Sequence, residues 1–476
     1  MDTKGNLIGG EWKLSGKTYR LNSPFSGEGL ADIAVADNAQ IEEALAAAAA
    51  ASAKLRDMPR FQVSECLAKL IGGIALRKEE FARTIALEAA KPIRVARGEV
   101  ERGIQTFTWA AEEAKRFAGE VVPVDTQPVG RGKTAWTIKV PRGVIFGISP
   151  FNFPLNLVAH KVAPALASGN AIIVKPSPRT PLTAILLGEV FANVCGESGF
   201  PKSALQILQM DVADIDGVLS DSRTGMISFT GSAAVGWDIK SRAGKKAVAL
   251  ELGGNAPVII DETADWQSTL TAAATGAFVY AGQVCISAQR FLLHDSIAEK
   301  WTSEFVGKAK TLKKGDPLAE DTQLSVMIDE AAAERAESWV NEAVQNGAKL
   351  LCGGTREGAL LEATVLSNTT PEMRVVSEEV FAPVAVVETF SDFSAAIDSA
   401  NNTKYGLQAG VFTRDLGRMQ EAARRLEYGG VLINEMPHFR VDNMPYGGVK
   451  DSGFGREGVR YAMEEMCETR LIVMNV

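Results

Sequence analysis

The sequence predicts an α/β protein: a doubly wound parallel sheet, a second α/β unit, and a small β element beside them. Three observations lead there. Short apolar runs alternate with helical stretches between Gly143 and Gly254, the runs end in small, polar or Pro/Gly-bearing turns, and the alternation resumes from Asn255 to Lys450. The 476 residues make about three folding units at roughly 100–200 residues each.

Taken in order, Ala36 to about Ala118 has apolar residues three and four apart, as in ECLAKLIGGIALRKEEFARTIALEAAKP, and is expected to be helical. The alanine run in IEEALAAAAAASAKLRDM is bracketed by charges and is itself helix-forming. Around Thr134 the period drops to two in TAWTIKVPRGV, which predicts a strand. VIFGISP then precedes a helix running through His160 to Ala167, NAIIVKPSP precedes LTAILLGEVFANVC, ALQILQM precedes another helix, and MISFTGS precedes AAVGWDIKSRA. Such sheets bind ligands at the carboxyl ends of their strands, which here read SPFN, KPSP and FTGS. FLLHD, a helix from Ser296 to Leu312, APVAVVETF and GGVLIN continue the pattern, and no Gly/Ser linker intervenes. The two units should therefore pack closely, with a cleft between them. Trp266 to Gln289 lacks Asp, Glu, Lys and Arg and is long enough to span a bilayer. Its polar residues, Gln267, Thr271 and Gln283 among them, instead predict a buried helix followed by a buried loop, so no membrane contact is expected.

Composition narrows the function classes. Hydrophobic residues are 46% and charged residues 23%, far from a disordered chain. Lys+Arg 50 against Asp+Glu 58 leaves a net charge of −8 without a basic cluster, so nucleic acid is not an expected partner. Cys66, Cys195, Cys285, Cys352 and Cys467 form no CxxC pair, and His160, His294 and His438 stand far apart, so neither a disulfide framework nor a metal site is expected. The opening MDTKGNLIGGEW has no apolar secretory core, which predicts a reducing cytoplasm.

Three residues are candidates for chemistry. Cys285 lies among small residues in AGQVCISAQR, where it is either an inert core thiol or an approachable nucleophile. Glu251, in the strand-like VALEL before two glycines, is either an ion-pair partner or a base with a raised pKa. Asn152, between Phe and Pro residues in SPFNFPL, either caps a turn or donates its amide to a developing oxyanion.

In this order, the elements resemble the aldehyde dehydrogenase superfamily, and the resemblance runs from GGEW to the C-terminal residues. SPFNFPL, VKPSPRTP, FTGSAAVG, LELGGNAPVII, GQVCISAQR, EEVFAPV and MPYGGVKDSGFGREG carry it. It implies a Rossmann-like cofactor domain (residues 1–119 and 142–253), a catalytic domain (254–452) and oligomerisation strands (120–141 and 467–476). It implies that Cys285 attacks an aldehyde, that Asn152 holds the oxyanion, and that Glu251 activates water against the resulting thioester. Because Glu251 is present, release by water rather than coenzyme A is expected. Lys161 and Glu457 correspond to residues that assist proton transfer, or form a plain ion pair. For NAD or NADP, it implies contacts from Ser149, Pro150, Phe151, Lys175, Ser177, Gly231, Ser232, Glu251, Leu252, Glu379 and Phe381.

Two departures bear on specificity. Pro178 stands where NAD-preferring relatives often carry Glu, and Arg179 beside it would attract a 2′-phosphate, so NAD and NADP both remain open. Ala382 replaces a commoner Gly in EEVFAPV, and local backbone stiffening is expected. His160 is expected on a polar wall of the substrate tunnel. Arg440 is expected at the tunnel mouth, pairing with an anionic group or bonding loop carbonyls. Lactaldehyde, succinate semialdehyde and sulfo- or phospho-aldehydes all fit, as does a broad-range enzyme. A non-redox thiol esterase would leave the nucleotide motifs without a role, and a non-catalytic scaffold would leave the intact Cys285, Glu251 and Asn152 without one. The strand Thr134–Val140 and the terminal LIVMNV imply a homo-oligomer, a dimer or a tetramer.

Overall fold

The computed structural model describes residues 2–475. Met1 and Val476, the outer ends of the expected segments 1–119 and 467–476, lie outside the described residues.

Val144–Ile148 and Ala171–Lys175 are buried along their whole length, as strands covered by helices on both faces must be. They lie in an eight-stranded sheet whose parallel core runs Ala247–Glu251, Thr224–Thr230, Val144–Ile148, Ala171–Lys175, Leu205–Ile207. The chain winds outward in one direction from Val144–Ile148 and then in the other. The switch point therefore falls between Val144–Ile148 and Thr224–Thr230, where a doubly wound sheet opens a crevice for a ligand. Both edges are closed by antiparallel strands that the sequence pattern did not disclose. Asn6–Ile8 and Glu11–Lys13 add to Leu205–Ile207, and Gly453–Phe454 pairs with Ala247–Glu251. These pieces are two or three residues long, too short to display a period.

The helical stretch expected from Ala36 to Ala118 resolves into Asn38–Arg56, Arg60–Leu76, Lys78–Ala89 and Ile93–Arg116. Asp37 caps the first by accepting from the Gln40 amide, and Pro59 and Pro92 precede the second and fourth.

The second sheet has seven strands, in the order Lys349–Cys352, Thr364–Ser367, Val384–Phe390, Ala288–His294, Ala256–Ile260, Gln408–Phe412, Gly430–Ile433. All pairs are parallel except the first. The uncharged segment forms the helix Trp266–Phe278, the short turn Val279–Gly282 and the loop to Ala288. No described helix is long and apolar enough to cross a membrane.

Cys467–Asn475 pairs antiparallel with Lys133–Pro141, which also carries Val121–Val122. Leu471, Val473 and Met474 are about half exposed on this outer strand.

Candidate active site

The carboxyl end of Val144–Ile148 runs into Ser149, Pro150, Phe151 and Asn152, and that of Thr224–Thr230 into Gly231 and Ser232. Across the crevice, the loops leading into Ala288–His294 and Val384–Phe390 of the second sheet contribute Cys285, Glu379 and Phe381. Cys285 stands where two cavities meet. One, about 400 Å³, is lined by Phe151, Asn152, Gly231, Ser232, Glu251 and Glu379 among others; the second, about 280 Å³, by Phe153, Arg102, His438, Arg440 and Tyr446 among others. Cys285 and Leu157 line both.

The approach to the thiol is made by an unusual stretch of backbone. Tyr280 and Ala281 have φ of 51° and 52°, a left-handed conformation that side chains other than glycine rarely adopt. The buried Tyr280 hydroxyl anchors this turn by donating to the Ala89 carbonyl at 3.0 Å. Asn152 lies opposite, buried, with its amide donating to the Gln283 carbonyl at 2.9 Å. Burial pushes the Cys285 thiol up to about 11, against the hydrogen-bonding influence of Tyr446.

Glu251 ends its strand inside the cavity, 4% exposed, and neither carboxylate oxygen has a hydrogen-bond partner among the described residues. Burial, and then the neighbouring Glu457, raises its pKa well above the carboxylate range. A buried, unsatisfied carboxyl in a cavity that a thiol also lines is a candidate functional group. Behind it, Lys161 donates to Thr230 at 2.7 Å and Ser228 at 3.1 Å and lies 3.6 Å from Glu457. Burial opposes ionisation of Glu457, but Lys161, His160 and Arg440 outweigh it and hold the carboxyl at about 2.

The residues of the larger cavity suit a dinucleotide. Ser232 precedes the ten-residue helix Ala233–Arg242 without making a side-chain cap, so the helix N-terminus presents unused N–H groups beside Gly231, a setting that favours an anion. The Ser149 hydroxyl is buried without a hydrogen-bond partner among the described residues. The Glu379 carboxylate accepts from the Gly254 amide at 3.1 Å, and a Cβ at Gly253 would overlap it. Phe381, next to Ala382, is held at φ 51° with its ring edge-on to Phe151 at 5.9 Å. Pro150, Phe151 and Leu252 line this cavity as well; Ser149, Lys175 and Ser177 do not, and stand at the carboxyl edge of the same sheet. Arg179, expected to attract a 2′-phosphate, is paired with Asp329 at 2.6 Å.

One expectation is corrected. His160 is 1% exposed and lines neither cavity that shares Cys285. Its helix, Asn156–Ala167, is buried on every side, so the ring meets the loop behind the cavity: Nε2 lies 2.8 Å from Asp442 Oδ1 and 3.1 Å from Arg440 Nη2. Arg440 does line the smaller cavity, with its guanidinium 3.0 Å from Glu457 and 3.7 Å from the centre of the Tyr446 ring. Arg102, which the sequence reading passed over, lines the same cavity and pairs with Asp442 at 2.7 Å. An arginine on a helix carries no local sign of facing a cavity. Tyr446 lay within MPYGG, but nothing local indicated that its hydroxyl would reach 3.0 Å from the Cys285 sulfur.

Residues 12–472 match the model of the aldehyde dehydrogenase family. The chain belongs to this family. A 3-sulfolactaldehyde dehydrogenase of Priestia aryabhattai is 41% identical to this aldehyde dehydrogenase over 473 residues, covering 99% of this chain and 98% of the relative. An aldehyde dehydrogenase from Physcomitrella patens, solved with the reaction product succinate, superposes with a TM-score of 0.97 at 42% identity, over 100% and 99% of the two chains. The glyceraldehyde-3-phosphate dehydrogenase of Methanocaldococcus jannaschii, solved with NADP, gives 0.93 at 39% identity, over 97% and 100%.

Proposed function

We propose that this NAD(P)-dependent aldehyde dehydrogenase oxidises a small, polar, anionic aldehyde to its carboxylic acid, through a covalent intermediate on Cys285. The observation that carries this is the position of Cys285 at the junction of the two cavities, with the unsatisfied Glu251 facing one and Arg102 and Arg440 facing the other. The three relatives described above are named for, or hold, compounds bearing a sulfonate, a carboxylate and a phosphate, which is the chemistry two arginines would read.

The smaller cavity would admit the substrate and the larger one would take the dinucleotide. Gly231 and Ser232, at a helix N-terminus, would hold the pyrophosphate; Lys175 and Ser177 would hold the adenosine ribose, Glu379 the nicotinamide ribose, and Phe151 and Phe381 would pack by the ring. When bound, the nicotinamide would supply the two-electron oxidant for the aldehyde carbon held on Cys285. Cys285 forms the carbon–sulfur bond, while the amide of Asn152 and the backbone N–H of Cys285 hold the oxygen as it becomes negative. Glu251 then takes a proton from water, which adds to the thioester and releases the acid. Burial and the neighbouring Glu457 raise the pKa of Glu251, which makes its carboxylate a stronger base toward that water, and the low pKa of Glu457 keeps a counter-ion on Lys161.

Under this reading residues 1–119 and 142–253 form the nucleotide-binding unit and residues 254–452 the unit that carries the thiol. Segments 120–141 and 467–476 join subunits in a cytoplasmic dimer or tetramer, for which the half-exposed Leu471, Val473 and Met474 offer an apolar edge strand. Light scattering would show a monomer if the subunit assignment is wrong.

The test is reduced nicotinamide production across neutral and anionic aldehydes with NAD and NADP in parallel. Selection of sulfonate, carboxylate or phosphate aldehydes supports the proposal. Equal rates across the panel would make the protein a broad-range aldehyde dehydrogenase, and hydrolysis of esters without reduction of either nucleotide would make it a thiol esterase.

A further inference from the structure

The thiol at the cavity junction has one side-chain hydrogen-bond partner among the described residues, and it is neither Glu251 nor Asn152. The Tyr446 hydroxyl lies 3.0 Å from the Cys285 sulfur. Its position is tightly determined. Tyr446 is 4% exposed, and its backbone exchanges hydrogen bonds in both directions with Glu457. One face of its ring is covered by the Arg440 guanidinium at 3.7 Å. A residue held at its backbone and on its ring face has little freedom to turn the hydroxyl away from the sulfur.

We propose that Tyr446 is a further catalytic residue: its hydroxyl donates a hydrogen bond to the Cys285 sulfur and favours the thiolate, both when it attacks and when it leaves. This rests on the reading of Cys285 as the nucleophile. In the first step the S–H bond breaks, its proton leaves to solvent water, and a sulfur electron pair forms the bond to the aldehyde carbon as the C=O π pair moves onto oxygen. In the last step water gives a proton to the Glu251 carboxylate and adds to the thioester, the carbon–sulfur bond breaks, and its electron pair returns to sulfur. Each step has a moment at which sulfur carries negative charge, and a thiolate can only accept hydrogen bonds, so the phenol must be the donor. Tyr446 keeps its own proton throughout, because burial and the neighbouring thiol push its ionisation well above the usual range. The Arg440 cation over the ring strengthens the O–H as a donor.

The groups facing the sulfur set the balance. Burial opposes the thiolate, and so do the carboxylates of Glu379 and Glu251; Tyr446 and Arg440 act the other way. Among the described residues, Tyr446 is the one that does so by a hydrogen bond to the sulfur. A hydrogen bond to a charged acceptor is worth roughly one to two pH units of ionisation.

The test is the pH dependence of Cys285 alkylation by iodoacetamide in the intact enzyme, read by mass spectrometry of the Cys285 peptide, for the wild type and Tyr446→Phe. The expected result is a midpoint raised by about one to two units, with alkylation at fixed neutral pH slowed about 10-fold or more. The pre-steady-state burst of reduced nicotinamide should slow in parallel. An unchanged midpoint in a folded variant overturns the proposal. If Tyr446→Phe does not fold, 3-fluorotyrosine at position 446 preserves the packing while making the phenol a stronger donor; a lowered midpoint then supports the proposal and an unchanged one overturns it. Cys285→Ala separates the two ideas. If it retains turnover, the nucleophile assignment fails, and if it abolishes turnover while the Tyr446 variants leave the midpoint unmoved, only the role of Tyr446 fails.

Discussion

The ammonium of Lys91, buried without exposure, donates to the backbone carbonyl of Asn152 at 2.5 Å. It is paired with the equally buried Glu99, whose other oxygen accepts from the amides of Leu155 and Asn156. The Lys91 charge also faces the rings of Phe153 at 3.7 Å and Tyr280 at 4.5 Å. One ion pair thus grips, from behind, both ends of the loop that presents Asn152. Lys91→Met leaves Glu99 buried and unpaired and should destabilise the protein by about 3–5 kcal/mol. Urea unfolding would measure this, and a loss below about 1 kcal/mol would show that the loop does not depend on the pair.

Cys285→Ala should lower turnover by roughly 10³-fold or more while leaving NAD or NADP affinity nearly unchanged, since the sulfur is one atom among many lining the larger cavity. Calorimetric titration of the nucleotide beside steady-state rates distinguishes this from a folding defect, in which both would fall.

Glu251→Gln should release one equivalent of reduced nicotinamide and then stall, with the acyl group retained on Cys285 and visible as added mass. The steady-state rate should fall by roughly 10²–10⁴. In the wild type, thioester hydrolysis should rise with pH through the elevated pKa of Glu251, because the base must be ionised to act. Stability runs the other way. A carboxyl whose folded pKa is raised contributes stability below its unfolded pKa, and that contribution is lost as pH climbs through the folded value. Glu251→Gln should therefore gain stability relative to wild type at alkaline pH, and thermal unfolding at two pH values would detect the crossover or its absence.

Under the proposed role of Asn152 as an oxyanion donor, Asn152→Ala should cost roughly 10²–10³ in kcat with a smaller change in KM. A variant that lost affinity at unchanged kcat would place Asn152 in ground-state binding instead.

Much of this site could be read before folding was considered. The alternation of VIFGI, AIIVK and MISFT with helical stretches predicted the parallel sheet, and the polar turns after those strands predicted where a ligand would lie. Cys285, Glu251 and Asn152 emerged from their neighbours in sequence, and folding brings all three to the lining of one cavity. His160 was misplaced for an equally physical reason. Proximity to Lys161 in sequence says nothing about which side of an all-buried helix a side chain faces, and here that side is occupied by Asp442 and Arg440.

The sequence by itself determined the α/β alternation, the family resemblance and the three candidate side chains, because each is encoded in local periodicity or in a short motif of glycine and proline beside a strand end. Only the tertiary structure decided that Arg440 meets Glu457, that Arg102 meets Asp442, and that Tyr446 meets Cys285 across 161 positions of chain. Partners of that kind are chosen by how the two sheets and their loops pack, and a local pattern reports only whether a residue is buried, not what it is buried against.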